Sequence, residues 1–222
     1  MRRLKTLLSW SSGKDSAWAL HTLRGDDRYE VVGLITTINQ VAGRVAMHAV
    51  RRQLLHEQAA AAGLPLWEVP IPSPCSNEEY EMAMRTLVGR AEADGVEAVA
   101  FGDLFLEDVR AYRERQLAST RLRPIFPLWG RDTATLAREM IAGGLRARIT
   151  CIDPGQIAPS FAGREFDAAL LDALPPTADP CGERGEFHTF AYAGPMFRAP
   201  VAVESGIVLE RDGFVFADLL PR

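Results

Sequence analysis

Short apolar runs alternate with longer amphipathic stretches up to about residue 152. Short apolar runs predict strands at residues 4–8, 31–36, 66–70, 98–101, 123–127 and 147–152, of which 123–127, with two prolines, is expected at an edge. The stretches between them predict helices at residues 17–23, 45–62, 76–94, 108–118 and 133–141. Helices between buried strands indicate βαβ crossovers, so we expect an α/β fold with a doubly wound parallel sheet of five strands or slightly more.

The pattern changes after residue 152. A short helix is predicted at residues 164–174, and strands are predicted at residues 188–192, 201–203, 207–209 and 214–216. Asp212-Gly213, between the last two strands, favours a hairpin with a primed turn. We therefore predict that residues 1–152 form an α/β domain and that residues 153–222 form an α+β appendage.

Composition narrows the class of partner. The 222 residues are 47% hydrophobic and 24% charged, which is typical of a globular protein with a sizeable core. The net charge is −4 and no basic run occurs, which argues against tight binding of nucleic acid. No apolar run approaches the ~18 residues of a membrane span. Three separate cysteines without a C-x-x-C pair favour a reducing setting, and we expect a cytoplasmic location.

The segment Ser9–Ser16 lies between the first predicted strand and the first predicted helix. A turn of small residues at a helix start presents backbone N–H groups and a dipole that favour an anion. The residues predicted to bind a nucleotide polyphosphate are Ser9, Ser11, Ser12, Gly13 and Ser16. Lys14 is predicted to balance the phosphate charge, and Asp15 is predicted to act through a bound Mg²⁺. An ion pair between Lys14 and Asp15 at the helix start is the alternative.

Further nucleotide contacts are expected where the other parallel strands end, because ligands bind beyond the carboxyl ends of such strands. Thr36 and the pair Gly102-Asp103 occupy these positions, and His48 begins a predicted helix nearby. The alternative role for Asp103 is that of a helix cap. The alternative for His48 is a solvated position on the surface.

Two arginines follow on the helix predicted at residues 108–118. Arg110 and Arg113 are predicted to bind an anionic acceptor substrate. Surface ion pairs with Glu107 or Glu114 are the alternative.

A second group of chemically active residues lies at residues 179–190. Glu183 and Glu186 are predicted to be catalytic, because carboxylates here could hold an amine or act as bases near an activated carbonyl. The residues predicted to contact the substrate are Gly182, Gly185 and His188. A tight turn with solvated acids is the alternative, and Cys181 is the one cysteine with a candidate role.

Several motifs resemble one family. Ser-Ser-Gly-Lys-Asp-Ser resembles the PP-loop, Ser-Gly-Gly-x-Asp-Ser, of the N-type ATP pyrophosphatases. Cys-Gly-Glu-Arg-Gly-Glu-Phe-His-Thr resembles the Gly-Glu-Gly-Gly-Glu-Phe-Glu-Thr signature of the diphthine–ammonia ligase family. Residues 127–132 resemble its Pro-Leu-Trp-Gly-Arg element, and residues 161–165 resemble its Trp-Leu-Gly-Arg segment. The resemblance covers nearly the whole chain.

This resemblance implies a sheet of the adenine nucleotide alpha hydrolase type, with ATP and Mg²⁺ as cofactors. It implies that residues 1–152 form the ATP-binding domain and that residues 153–222 bind the acceptor. It implies an enzyme that adenylates a carboxylate of a small molecule or protein, releases pyrophosphate, and transfers ammonia or an amine. A homodimer is expected by analogy with the superfamily. Ser12, Arg184 and His188 depart from the family motifs, which leaves the acceptor open.

Two other functions are compatible with the same motifs. One is a PP-loop enzyme that inserts sulfur into tRNA or a small molecule, which would need a reactive cysteine. The other is a nucleotide-binding sensor without catalysis.

Overall fold

The computed structural model describes residues 2–39, 44–45, 50–72 and 74–222, which form a six-stranded and a four-stranded sheet. The strands of the first sheet are β1 (Leu4–Ser9), β2 (Tyr29–Asn39), β3 (Arg44–Val45), β4 (Leu66–Ile71), β5 (Ala98–Ala100) and β6 (Arg123–Ile125). The helices between them are α1 (Lys14–Arg24), α2 (Arg52–Ala62), α3 (Asn77–Ala93) and α4 (Glu107–Leu117).

The first sheet is parallel except for β3. Strand β4 pairs with β2, β2 with β1, β1 with β5, and β5 with β6, all in parallel. Strand β3 pairs antiparallel with the last two residues of β2. The parallel order is therefore β4-β2-β1-β5-β6, which confirms the expected five parallel strands. The chain moves outward from β1 on one side and then crosses to β5 on the other, and ligands bind at such a reversal.

Adjacent residues of β1 point to opposite faces of the sheet and enter different apolar clusters. Leu8 packs in the cluster that contains the buried residues of α1 and α2. Leu7 packs in the cluster that contains the buried residues of α3 and α4. Helices therefore cover both faces, as a doubly wound sheet requires. The first cluster continues into the second sheet through Ile149 and Phe190.

The second sheet is antiparallel, in the order β8-β7-β10-β9. Its strands are β7 (Arg146–Ile152), β8 (Phe187–Ala193), β9 (Val203–Arg211) and β10 (Phe214–Pro221). The helical segments in this half are α5 (Thr133–Ala142), a 3₁₀ turn (Pro159–Phe161) and α6 (Ala168–Ala173). The expectation that residues 147–152 belong to the parallel sheet is wrong, because β7 pairs with β8 and β10. The domain boundary at residue 152 stays a prediction.

Two predicted helices begin later than expected. Helix α2 begins at Arg52, whereas Val45 lies in β3. Helix α6 begins at Ala168, because the Asp167 carboxylate accepts a hydrogen bond from the backbone N–H of Leu170 at 2.8 Å and caps it. Of the strand predicted at residues 201–203 only Val203 lies in a strand, and it belongs with residues 207–209 to β9.

Local sequence signals at two other places are confirmed. Ser76 and Glu79 form a capping box at the start of α3. Asp212 and Gly213 have φ angles of 54° and 81°, as a primed hairpin turn between β9 and β10 requires. None of the helices in the described residues is long and apolar enough to cross a lipid bilayer.

Candidate active site

The turn between β1 and α1 brings a helix N-terminus to the carboxyl edge of the parallel sheet. Helix α1 begins at Lys14, so the backbone N–H groups of its first turn lack partners within the helix. Ser11 Oγ lies 3.2 Å from Ser16 Oγ and accepts a hydrogen bond from the Gly13 backbone N–H at 3.3 Å. Hydroxyls and N–H groups in this arrangement suit an anion.

Ser12 has a φ angle of 68°, a region that strains any residue with a Cβ and that glycine enters freely. Its carbonyl oxygen accepts hydrogen bonds from Ala191 N at 2.9 Å and from Gln58 Nε2 at 3.0 Å. Its hydroxyl is buried and donates to the Ser11 carbonyl. The predicted phosphate contact of Ser12 therefore does not come from its hydroxyl, which is already engaged.

Lys14 is buried in a fixed position. Its Nζ lies 2.8 Å from Asp15 Oδ2 and donates to the carbonyl oxygen of Cys181. The ammonium also lies over the rings of Phe166 and Phe187, 5.5 Å and 5.4 Å from their centroids. Burial alone would lower the pKa of Lys14, but the nearby Asp15, Cys181 and Glu183 side chains together raise it above its usual value, so Lys14 stays charged. The alternative of an ion pair at the helix start is thus present.

Three carboxylates, those of Asp15, Asp103 and Glu183, gather beside the helix start, and burial raises the pKa of each. The pKa of Glu183 reaches about 7, although the carboxylate accepts a hydrogen bond from the Leu104 backbone N–H at 2.8 Å. Asp103 Oδ2 has no hydrogen-bond partner among the described residues, and Arg113 Nε lies 3.6 Å from it. The site therefore gathers three carboxylates around two cations, those of Lys14 and Arg113.

Glu186 shapes the turn that carries Glu183. One Glu186 oxygen accepts from the Asp179 backbone N–H at 2.7 Å, and the other accepts from the Arg184 backbone N–H at 3.0 Å. The Asp179 carboxylate accepts from the backbone N–H groups of Cys181 and Glu183, both at 3.0 Å. Glu186 is 1% exposed, so its catalytic role predicted from sequence is not supported by its position; it supports the turn instead.

Two cavities meet at the phosphate-binding turn. The polar cavity has a volume of about 230 Å³, and the apolar cavity, of about 370 Å³, lies between the sheet and helices α3 and α4. The predicted residues that line the polar cavity are Ser9, Ser11, Gly13, Lys14, Asp15, Ser16, Gly102, Asp103, Arg113, Gly182, Glu183 and His188. Thr36 lines the apolar cavity. Residues from both halves of the chain therefore share one site.

His188 lines both cavities. Burial and the nearby charge of Lys14 lower its pKa to about 4. The imidazole is therefore neutral at pH 7.

Two models of known families match the chain. The model described as diphthamide synthase N-terminal domain matches residues 4–123, and the one described as diphthamide synthase C-terminal domain matches residues 132–214. The chain belongs to the diphthamide synthase family. The family resemblance inferred from its motifs is confirmed.

Three relatives of this diphthamide synthase family member are named diphthine–ammonia ligase. The chain is 27% identical over 214 residues to the diphthine–ammonia ligase of Danio rerio, covering 90% of this chain and 81% of that protein. It is 26% identical to the enzymes of the same name from Mus musculus and Homo sapiens, over 231 and 235 residues. Those matches cover 93% of this chain and 85% of each relative.

In this family member, some residues that the sequence predicts to bind ligand are not found in the polar or the apolar cavity. Arg110 lies over the rings of Phe126 and Trp129, and its Nε is 2.8 Å from Glu114 Oε1, so the alternative of pairing with Glu114 describes it. Gly185 does not line either cavity, and His48 lies outside the described residues.

Two glycines are needed for packing rather than for ligand contact alone. A Cβ on Gly102 would stand 3.0 Å from Ser16 N, so glycine lets the end of β5 approach the start of α1. Gly182 has a φ angle of 67°, and a Cβ there would stand 2.8 Å from the Phe187 carbonyl oxygen. Gly102 therefore allows β5 to approach α1, and Gly182 allows the turn at residues 179–190 to fold against Phe187.

Sequence reasoning missed three polar residues that hold the site. Gln58 and Asp179 are buried and bond the turns described above, and Thr189 Oγ1 accepts from the Lys14 backbone N–H at 3.0 Å. A polar residue within the apolar stripe Leu54, Leu55, Ala59, Ala62 was the available signal for Gln58. The contacts of Asp179 and Thr189 depend on the tertiary fold.

Magnesium is implied by the PP-loop resemblance. Across the described ranges, no group of three or more histidine, cysteine or acidic residues is arranged to hold a metal ion. Beside phosphate oxygens, however, Mg²⁺ needs only one or two carboxylates. Asp15 and the unpartnered Oδ2 of Asp103 fit that smaller ligand set.

The buried cysteines are poor nucleophiles. Burial raises the pKa of the Cys181 thiol despite the nearby charge of Lys14, and burial raises the pKa of Cys151 to about 11. Reactive cysteines need a lowered pKa and exposure. Neither thiol meets those conditions.

Proposed function

We propose that the protein is an ATP-dependent ligase that forms an amide, activating a carboxylate as its adenylate and transferring ammonia to it. One observation carries this proposal. The helix-start turn that suits a polyphosphate shares a single cavity with Glu183, a carboxylate whose pKa of about 7 suits proton transfer. The name of the relatives, diphthine–ammonia ligase, supports ammonia as the nitrogen donor.

The nucleotide would span both cavities. Its phosphates would bind N–H groups of the first turn of α1, apart from the Lys14 N–H, which already donates to Thr189 Oγ1, and the hydroxyl of Ser11, beside the charge of Lys14. The adenine would enter the apolar cavity, where Thr36 Oγ1 is buried without a hydrogen-bond partner among the described residues. Apolar walls with a few polar groups are typical of sites for aromatic ligands.

Asp15 and Asp103 would hold Mg²⁺ together with the phosphates. The ion would neutralise phosphate charge when bound. With it, the raised pKa values of the two aspartates would fall, since a cation favours their charged forms.

The chemistry would proceed in two steps. An acceptor carboxylate oxygen attacks the α-phosphorus, and the bond from that phosphorus to the bridging oxygen breaks, releasing pyrophosphate. Lys14 and Arg113 bind the charge that develops on the phosphates. Ammonia then attacks the acyl carbon, the bond to AMP breaks, and Glu183 accepts the proton that the nitrogen loses.

The second half of the chain would supply the acceptor side of the site. Neutral His188 and the charged Arg184, which lies 5.6 Å from the centroid of the Phe105 ring, would face the acceptor. The acceptor class is a carboxylate of a small molecule or protein. A cytoplasmic location and a homodimer stay predictions from the sequence.

Exchange of labelled pyrophosphate into ATP tests the proposal. The protein is incubated with Mg·ATP, labelled pyrophosphate and a panel of carboxylic acids, and exchange is expected only with an acid that is adenylated. Adding ammonium is then expected to give AMP and an amide in equal amounts. Products of ADP and phosphate, or ATP binding without any turnover, would contradict the proposal.

Asp15→Asn is the matched variant for this assay. It is expected to lose AMP formation, because an amide is a weak ligand for Mg²⁺ beside phosphates. Full activity in the variant would show that Asp15 does not act through a metal ion.

A further inference from the structure

Gln58 is a buried polar side chain on α2 with no exposed surface, and both of its amide N–H donors and its carbonyl oxygen form hydrogen bonds. Its Nε2 donates to the Ser12 carbonyl at 3.0 Å and to the Ala191 carbonyl at 2.6 Å. Its Oε1 accepts from the indole N–H of Trp10 at 3.0 Å. One side chain therefore joins the end of β1, the phosphate-binding turn and β8.

The bond to Ser12 determines which way the turn presents its backbone. A peptide unit is planar and trans, so the Ser12 carbonyl and the Gly13 N–H point in opposite directions. Because Gln58 and Ala191 N hold the carbonyl inside the protein, the Gly13 N–H is directed outward, where it meets Ser11 Oγ and the polar cavity. The reverse orientation would direct the carbonyl oxygen at a bound anion.

The positive φ of Ser12 makes this support necessary. A serine at 68° is strained, and a strained conformation persists only where surrounding contacts hold it. The contacts of the Ser12 carbonyl come from Gln58 and Ala191 N. Gln58 also holds the Ala191 carbonyl, so the strand that presents His188 is attached to the same side chain.

We infer that Gln58 is a positioning residue that orients the phosphate-binding turn for ATP through the Ser12 carbonyl. The inference rests on the proposed function only in taking that turn as the triphosphate site. Gln58 itself does not touch the nucleotide. Its removal should weaken binding of the phosphates and leave binding of the nucleoside unchanged.

The test compares two ligands on the full chain carrying Gln58→Met, which keeps the side-chain length and removes all three hydrogen bonds. Calorimetry measures the Kd of a non-hydrolysable Mg·ATP analogue and the Kd of adenosine. We expect a loss of about tenfold or more for the analogue, the equivalent of about one hydrogen bond, and less than about twofold for adenosine. Equal losses for both ligands, or no loss for the analogue, would overturn the inference.

Two further variants keep the test decisive. Gln53→Met, on the exposed face of the same helix, is the matched control and should bind both ligands as the wild type does. If Gln58→Met does not fold, Gln58→Glu replaces it, since a carboxylate keeps the size and the bond from Trp10 but loses both donors. The same selective loss is expected, and its absence contradicts the inference.

Failure of the proposed function would look different. In that case the wild type would bind neither the analogue nor tripolyphosphate. A wild type that binds the analogue, together with a Gln58→Met variant of equal affinity, would refute the role of Gln58 alone.

Discussion

Lys14 and Asp15, adjacent in the chain, form an ion pair in which the lysine side chain is 2% exposed and the aspartate side chain is 26% exposed. The lysine is thus enclosed, and the aspartate keeps an opening toward the polar cavity. This asymmetry leaves Asp15 accessible to a cation while Lys14 balances its charge. The ion pair and the functional role are therefore compatible.

Lys14→Met should damage both stability and turnover. The variant leaves the largely buried Asp15 carboxylate without its ion-pair partner, so we expect the free energy of unfolding to fall by about 3 kcal/mol. AMP formation should fall by roughly 100-fold, since a cation near the phosphates is lost. Urea unfolding and an AMP assay measure the two effects. Lys5→Met, at an exposed position on β1, is the control and should change neither.

Much of the first sheet and its site could be predicted because the signals are local. Each parallel strand is a short apolar run, and the turn at Ser9–Ser16 carries its chemistry within eight residues of sequence. The sheet to which β7 belongs could not be predicted, because its apolar pattern suits either sheet and pairing with β8 and β10 is a long-range choice. The bonds that Glu186 accepts from the Asp179 and Arg184 N–H groups could not be predicted either, because they follow from the shape of the folded turn.

The pKa of Glu183 predicts the pH dependence of amide formation. Because Glu183 must be deprotonated to accept a proton, the rate should rise with pH through about 7 and then level off with respect to this group. Free ammonia also increases with pH, so the informative quantity is the wild-type rate divided by that of Glu183→Gln at each pH. A ratio that stays constant from pH 5 to 9 would exclude Glu183 as the base.

The same shift makes a prediction for stability, with a definite sign. Burial raises the pKa of Glu183 above the value of about 4.5 in the unfolded chain, so the folded state binds the proton more tightly. Its contribution is complete below about pH 4.5 and is lost as the pH rises through about 7. Glu183→Gln should therefore unfold less readily than the wild type at pH 8, by on the order of 2 kcal/mol, but not at pH 4.5.

Arg113 and Arg110 provide a matched pair on α4. Arg113 lines both cavities beside Asp103, whereas Arg110 lies over Trp129 and pairs with Glu114. Arg113→Ala should lower kcat/KM for AMP formation by at least about tenfold, and Arg110→Ala should leave it within about twofold of the wild type. Steady-state kinetics at saturating ammonium measures both. A larger loss with Arg110→Ala would support the role in acceptor binding that the sequence predicts for Arg110.

The positive φ of Ser12 predicts that the family's glycine is the more stable residue at this position. At a φ of 68°, a residue with a Cβ destabilises the folded state by about 1–2 kcal/mol relative to glycine. The greater freedom of glycine in the unfolded chain offsets about 0.5–1 kcal/mol of that difference. Since Ser12→Ala loses the same hydroxyl bond, Ser12→Gly should exceed Ser12→Ala in free energy of unfolding by roughly 0.5–1 kcal/mol, as measured by urea unfolding.

Ser12→Ala separates strain from the loss of the hydroxyl. This variant keeps the Cβ and loses the bond from the serine hydroxyl to the Ser11 carbonyl, so it should gain no stability. Because the carbonyl bonds from Gln58 and Ala191 N involve the backbone of residue 12 in every variant, the turn should keep its orientation. If Ser12→Gly were no more stable than Ser12→Ala, the strain assigned to this φ angle would be absent, and the support that Gln58 gives to the turn would be needed for another reason.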